Sequence, residues 1–487
     1  MIHRRQFLLG PRPAAPHPAW LARPAGGAVL SHCPELPVRT AVDRCGVEWC
    51  ILGIATQTDP HRPDPADQIG VATTEAVPRL SWTWAGRWLL IGGGRIYLDA
   101  AGLLGCYYRP GSGGEGCWAS SSAALLAAVD RAAGTAPVPR PLRHGIGVDW
   151  YPPPSSGFAT IRRLLPSQAL DLAAGAPVPG CALPPLERAR PWAEAIRLLE
   201  ERLVTGLARL PRPNGRIWIP LTSGYDSRLV LAAALRAGLA VETYTHLRAD
   251  LPAGDRLLPP KLARAAGVRH RFTRPGRHSP AAEADYDAHC GRQSAGVDRR
   301  YYARGQWGFV RPGDLVLRTN SPDVGRVSWH NTFPPPPTLE MLPEPEEIAR
   351  WIREPEDSPA LEGLREWIDH ARAHPVAGLE WRDRFHWEQR LGGWLSALEQ
   401  SLDLVPGART HPANSAQIYG LLLALPPARR AAGEHHRELI GRLAPELLEF
   451  PFNPPDDAFG RWAVARHRLR DDPAGIWRAV RRRLGRR

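Results

Sequence analysis

At 487 residues the chain is long enough for two or more domains, each with its own core. Hydrophobic residues at 43% and charged residues at 23% describe an ordinary soluble globule, and no run approaches 18 consecutive apolar residues, which excludes a membrane-spanning helix. The net charge is +13, yet Lys261 is the single lysine among 62 basic residues. This arginine bias, with abundant Ala, Pro and Gly, is that of a GC-rich genome; no nucleic-acid-binding motif accompanies it, so no specific nucleic acid partner is expected.

Seven cysteines (Cys33, Cys45, Cys50, Cys106, Cys117, Cys181 and Cys290) are scattered with no C-x-x-C pair. That favours reduced thiols and a cytoplasmic location over a disulfide framework or zinc site. The start, residues 3–9, carries the paired arginines of an export signal, but Pro11, Pro13, Pro16 and Pro18 replace the apolar core. It reads as a first β-strand.

Residues 1–185 are rich in Gly, Pro and Trp. Short β-type runs recur at 47–54, 80–84, 88–91 and 95–98, which predicts a mainly β domain with layered sheets. A Pro-rich stretch, 177–191, is the expected linker. A helix is predicted over 192–210, where Trp192, Ile196, Leu199, Leu203 and Leu207 share one apolar face.

Next comes a strand at 217–220, a small polar loop, Thr222-Ser223-Gly224-Tyr225-Asp226-Ser227, and a helix. Strand, tight loop and helix aim backbone N–H groups and a positive helix end at an anion. Asp226 adds a carboxylate able to hold Mg²⁺, and Ser227 a hydroxyl at the helix start, which argues for ATP chemistry. A helix capped at Asp226 or Ser227 that binds nothing is the alternative.

Strands at 241–244 and from 268, with a helix at 257–266 between them, predict a parallel sheet with helices on its faces. Its ligands belong at the carboxyl ends of the strands. Residues 313–318 form a further strand, followed by a polar turn with Asp323 and then Arg326. Arg326 is placed to face a phosphate; a turn-forming Asp after Pro322 is the other reading of Asp323. Residues 324–378 read as an insertion or lid. A long helix is predicted over 381–402, its aromatic side assigned to the core.

Thr222–Ser227 resembles the Ser-Gly-Gly-x-Asp-Ser pyrophosphate loop of the N-type ATP pyrophosphatases. Thr222 keeps the first hydroxyl; Ser223 replaces a Gly that lets the backbone approach the phosphates. Around it, the Asp-x-x-Gly turn at Asp99, the strand with Tyr107-Tyr108 and the Ala119-Ser120-Ser121 turn resemble the end of the glutaminase domain of asparagine synthetases, and 157–172 the β segment closing it. Glu399, Arg409, Pro412-Ala413-Asn414 and the segment 418–426 resemble that family's Glu-x-Arg-x-Pro-Phe-Leu-Asp region, although Glu399 and Arg409 stand too far apart. The 438–448 segment is similar to its last helix and Leu-Pro turn.

The resemblance spans roughly 90–455. It implies an α/β protein: a mainly β, glutaminase-like (Ntn-type) layered domain over 1–185, a parallel-sheet ATP pyrophosphatase domain over 190–455, and a basic tail over 456–487. It implies ATP and Mg²⁺ as cofactors, with Thr222, Ser223, Gly224, Asp226 and Ser227 around the phosphates, Tyr244 at the adenine, Asp226 and Asp323 on the metal, and Asp226, Asp323 and Arg326 as catalytic groups. Two departures matter. The family's glutaminase nucleophile is an N-terminal Cys, and residue 2 here is Ile2. The family's lysine after the Leu-Pro turn is missing, leaving Arg326, Arg384 and Arg390 as candidate substitutes.

The expected activity is therefore an AMP-forming ligase without glutaminase, joining a small-molecule, sugar-acid or peptide carboxylate to an amine or ammonia. β-Lactam synthetases and lasso peptide cyclases are relatives of that kind. The rival is a non-catalytic nucleotide-binding or scaffold descendant; an RNA-modifying pyrophosphatase is disfavoured by the first domain. The tail holds ten arginines in 461–487 against Asp471 and Asp472, with Ile476, Val480 and Leu484 four apart. It reads as a basic amphipathic helix for an acidic partner or membrane surface, or as a solvated terminus.

Overall fold

The computed structural model describes residues 2–109, 116–129, 142–144, 148–181, 183–291, 293, 297–339, 341–355 and 357–455. The tail assigned to 456–487 lies outside them. Two six-stranded antiparallel sheets use strands from the first 180 residues, and a five-stranded parallel sheet uses strands between 217 and 410. Among the described residues, no helix is long and apolar enough to cross a membrane.

The antiparallel sheets pack face to face, with alternation along each strand deciding the faces. Phe7 and Leu9 of the first strand (Phe7–Gly10) join Leu52, Leu89, Ile91 and Leu170 of the other sheet in the shared core. Leu8 points the other way, to Leu125 and Leu126 of a covering helix, Ala123–Val129. The outer face of the second sheet, with Trp49, Trp84 and Trp88, is covered by Ile69 and Val77. Strand Trp84–Gly92 is buried at all nine positions because both its faces are covered. The 95–98 run is strand Arg95–Leu98 as expected, whereas most of the 80–84 run turns helically (Val77–Leu80, Ser81–Thr83) before the long strand begins at Trp84.

The parallel sheet has the order Arg269–Thr273, Val241–His246, Ile217–Pro220, Leu315–Leu317, Ala408–Thr410. Its first three strands in sequence run one way from the centre, and its fourth and fifth lie on the opposite side. The reversal falls between Ile217–Pro220 and Leu315–Leu317, and crevices for ligands open at the carboxyl ends of strands at such a point. Helices Trp192–Ala208, Tyr225–Arg236 and Glu434–Leu443 bury their apolar stripes in the same core as the sheet.

The 324–378 region contains helices Pro345–Ile352 and Ala360–Ala373, with a core of their own built on Trp329, Phe333, Trp367, Trp381 and Phe385. The helix expected over 381–402 is composite. Trp381–Phe385 leads into a ten-residue π-helix, His386–Leu395, then Ser396–Ser401. Phe385 and Trp387 are core residues, as assigned.

Buried polar contacts join the two halves. Arg87 grips Asp403 through two nitrogens at 2.6 and 2.8 Å, and Arg409 reaches the same carboxylate at 2.7 Å. Asn414 donates to the Gly86 carbonyl and to Asp99, each at 2.7 Å. Gly86 has φ +123° and a Cβ there would lie 2.1 Å from the Ile54 carbonyl oxygen, so only glycine fits. Asp99 also accepts backbone N–H bonds from Trp88, Ala101, Leu103 and Leu104, which shape its turn.

Candidate functional site

The Thr222–Ser227 segment leaves the carboxyl end of Ile217–Pro220 at the order reversal; Gly224 caps helix Tyr225–Arg236, so Asp226 and Ser227 lie in its first turn. Its hydroxyls are organised from within. Ser227 Oγ accepts from the Thr222 amide at 3.1 Å and bonds Thr222 Oγ1 at 2.9 Å, while the Gly224 amide donates to Thr222 Oγ1 at 3.1 Å. Ser223, the departure from the glycine pattern, has a negative φ, so its backbone does not require glycine. Its amide and its Oγ both donate to Asp255 Oδ1 at 2.7 Å.

Asp226 and Asp323 are brought to one arginine, Arg326. Asp323 lies in a helical turn, Ser321–Gly325, after Leu315–Leu317. Arg326 Nη1 stands 3.5 Å from Asp226 Oδ2 and 3.6 Å from Asp323 Oδ1. One guanidinium thus serves both carboxylates. Each acid has its own imidazole: His436 Nε2 lies 2.9 Å from Asp226 Oδ1, and His386 Nε2 lies 3.3 Å from Asp323 Oδ2. Burial works against charge on Asp226, but the His436 hydrogen bond, the His436 charge and Arg326 outweigh it and hold the carboxyl below its ordinary range. Burial lowers His386, with Asp323 opposing. Burial presses neighbouring His435 down to about 2, so it stays neutral.

Two carboxylates from opposite loops around one cation are a donor set that Mg²⁺ uses together with substrate phosphates. Among the described residues no group of three or more His, Cys, Asp or Glu is placed to hold a metal by itself.

A strap from the C-terminal end covers one side of the loop. Arg228 donates to the carbonyls of Leu447, Phe450, Pro451 and Ser223 at 2.8–3.0 Å. Phe452 stacks on Tyr225 at 4.2 Å, and the Asn453 amide donates to the Ser223 carbonyl at 3.2 Å.

Tyr244 is not brought to the crevice. It ends on the expected side of the sheet, but it is 1% exposed and packs against His246, Trp307 and Phe309. The candidate arginines separate clearly. Arg384 is spent on Glu388 and on the carbonyls of Ala371 and His374. Arg390 lies 3.7 Å over Trp394, and burial pulls it down to about 10 with Asp323 opposing. Arg326 is partly exposed and lies between Asp226 and Asp323. Glu399 and Arg409 meet in a buried network with Arg318, whose Nε lies 2.6 Å from Glu399.

Asp255, His386, His436 and Arg228 were not visible as site residues in the sequence. Asp255 and His436 come from helices 32 and 210 residues away from their partners, and no local motif marks them. No protein-family model and no curated protein matches the chain.

Proposed function

We propose that this chain is a cytoplasmic, ATP-dependent, AMP-forming carbon–nitrogen ligase of the asparagine-synthetase-like type. Its parallel-sheet half would be an ATP pyrophosphatase domain and its antiparallel half a glutaminase-like scaffold without glutaminase activity. The observation that carries the reading is the meeting, at the strand-order reversal, of the segment Thr222–Ser227 with the turn Ser321–Gly325, where Arg326 stands 3.5 Å from Asp226 and 3.6 Å from Asp323.

Thr222, Gly224 and Ser227 would cradle the β- and γ-phosphates through amides and hydroxyls. Asp226 and Asp323 would hold Mg²⁺, which when bound neutralises charge on the phosphates. His436, hydrogen-bonded to Asp226, would orient that carboxylate. Arg326 would move from the acids toward the phosphate oxygens as the cation enters. The substrate carboxylate attacks the α-phosphorus, the α–β bridging bond breaks and pyrophosphate leaves. An amine or ammonia then attacks the acyl carbon, and AMP departs.

One contact favours the second reading, a non-catalytic nucleotide-binding or scaffold descendant. The Ser223 amide and hydroxyl are already bonded to Asp255. The test is pyrophosphate release from ATP with a panel of small carboxylates, sugar acids and peptides, each with ammonia or an amine. Carboxylate-dependent release supports the ligase. ATP binding without release from any of them supports the scaffold.

A further inference from the structure

A second surface, at the opposite ends of the parallel strands, has a charge and shape that the ligase reading does not use. Three adjoining cavities of about 530, 440 and 610 Å³ run from Trp218 to the junction between the two halves. The first two share Gly305, Gly308 and Arg311; the last two share Arg4 and Pro406. They form one groove rather than separate pits.

Seven arginines and three carboxylates line the groove, and the carboxylates do not neutralise it. Asp314 is spent inward, accepting from the amides of Arg216 and Arg311 and from Trp218 Nε1 at 2.8–2.9 Å. Glu35 is shared by Arg4 and Arg5. Asp285 remains. Arg39 and Arg216 have their own acids, Asp64 and Glu242. Arg212, Arg271 and Arg311 are exposed and have no carboxylate partner among the described residues.

The arginines at one end are held by aromatic faces. Arg271 lies 5.6 Å over Trp218 and 5.2 Å over Phe309, and Arg216 lies 5.8 Å over Trp218. A guanidinium stacked on a ring keeps its N–H edge free for a carboxylate. Between the charges the lining is apolar, with Val310, Leu404, Pro406 and Ile54. Arg271 also lies on the edge strand Arg269–Thr273, where charge guards against strand pairing. That role explains Arg271 but not Arg212 or Arg311, which lie off that strand.

We propose that this groove docks an extended acidic peptide segment, with carboxylates on Arg271, Arg311 and Arg212 and aliphatic side chains between them. Three adjoining cavities that share lining residues and combine guanidinium with apolar surface suit a chain rather than a small anion. The peptide is a segment of a partner protein, bound at the end of the parallel sheet opposite the Thr222–Ser227 segment.

The test is fluorescence anisotropy of a labelled twelve-residue peptide alternating Glu with Leu and Pro, titrated with the full-length protein at about 0.15 M salt. The double variant R271E/R311E is compared with R197E/R264E, which makes the same charge change at exposed sites outside the groove. Circular dichroism confirms that both fold. The expected result is at least a tenfold loss of affinity for R271E/R311E, less than twofold for the control, and no binding of the Lys-for-Glu peptide. Equal losses in both variants would reduce the effect to net charge and overturn the proposal. Displacement of the peptide by inorganic phosphate at millimolar concentration would identify a small-anion site instead and overturn it too, as would the absence of binding by the wild type.

Discussion

Asp255→Ala separates a loop that Asp255 builds from a loop that Asp255 blocks. The carboxylate accepts two bonds from Ser223, at 2.7 Å from the amide and 2.7 Å from Oγ. Hydrogen bonds to a charged group contribute about 1.5–3 kcal/mol each, and two bonds to one residue are not additive, so about 2 kcal/mol of loop order rests on this contact. If the bound form needs the loop as it stands, that energy is withdrawn from nucleotide binding, and 1.4 kcal/mol is a factor of ten. MgATP affinity should then fall roughly thirtyfold in Asp255→Ala and by less in Asp255→Asn, which retains an acceptor oxygen. Isothermal titration calorimetry of wild type and both variants measures it, with thermal melts as the fold control. Tighter binding by Asp255→Ala would mean that the acid occupies the place of a phosphate, and would refute the idea that it prepares the loop.

Other outcomes follow from the same geometry. Asp403→Asn leaves the buried Arg87 and Arg409 without their shared counter-charge; breaking such a pair costs about 3–5 kcal/mol, read as a lower unfolding temperature and faster proteolysis between the two halves. Asp226 has a depressed carboxyl in the folded chain, so the stability it contributes is complete above the ordinary carboxylate value and is lost as the pH falls through the folded one. The difference in melting temperature between wild type and Asp226→Asn should therefore shrink as the pH is lowered from about 6 to about 3. Arg326→Gln frees Asp226 and Asp323 of their shared guanidinium; both are partly solvated, so the expected gain in affinity for Mg²⁺ alone is modest, about threefold by calorimetry.

Much of the parallel half was legible because its signals are local. Ile217–Pro220 is the strand that its four β-compatible residues predict. Trp192–Ala208 follows the three-and-four spacing to within two residues of its predicted end. The helix expected over 257–266 is Pro259–Ala265; the short helix before it, Ala253–Leu257, was not expected, and it stays separate because Pro259 begins a helix better than it continues one. The π-helix at His386–Leu395 has no sequence period of its own, so it was hidden in one long helix.

The site was legible only where its residues are neighbours in sequence. Thr222 to Ser227 declare themselves as a loop, and Asp323 and Arg326 as the turn after a strand. Their imidazole and carboxylate partners arrive through tertiary packing, from residues 255, 386 and 436. Tyr244 shows the converse. Its position at a strand end is as expected, but the direction of its ring is set by Trp307 and Phe309, more than sixty residues on.

The most direct measurement is calorimetric titration of MgATP into the wild-type chain and into Asp226→Ala. Saturable, magnesium-dependent binding by the wild type is expected, with no detectable heat in Asp226→Ala at a temperature where thermal melts show the variant still folded. No binding by the wild type at about 1 mM nucleotide, or equal binding by both proteins, would contradict a nucleotide site at Thr222–Ser227.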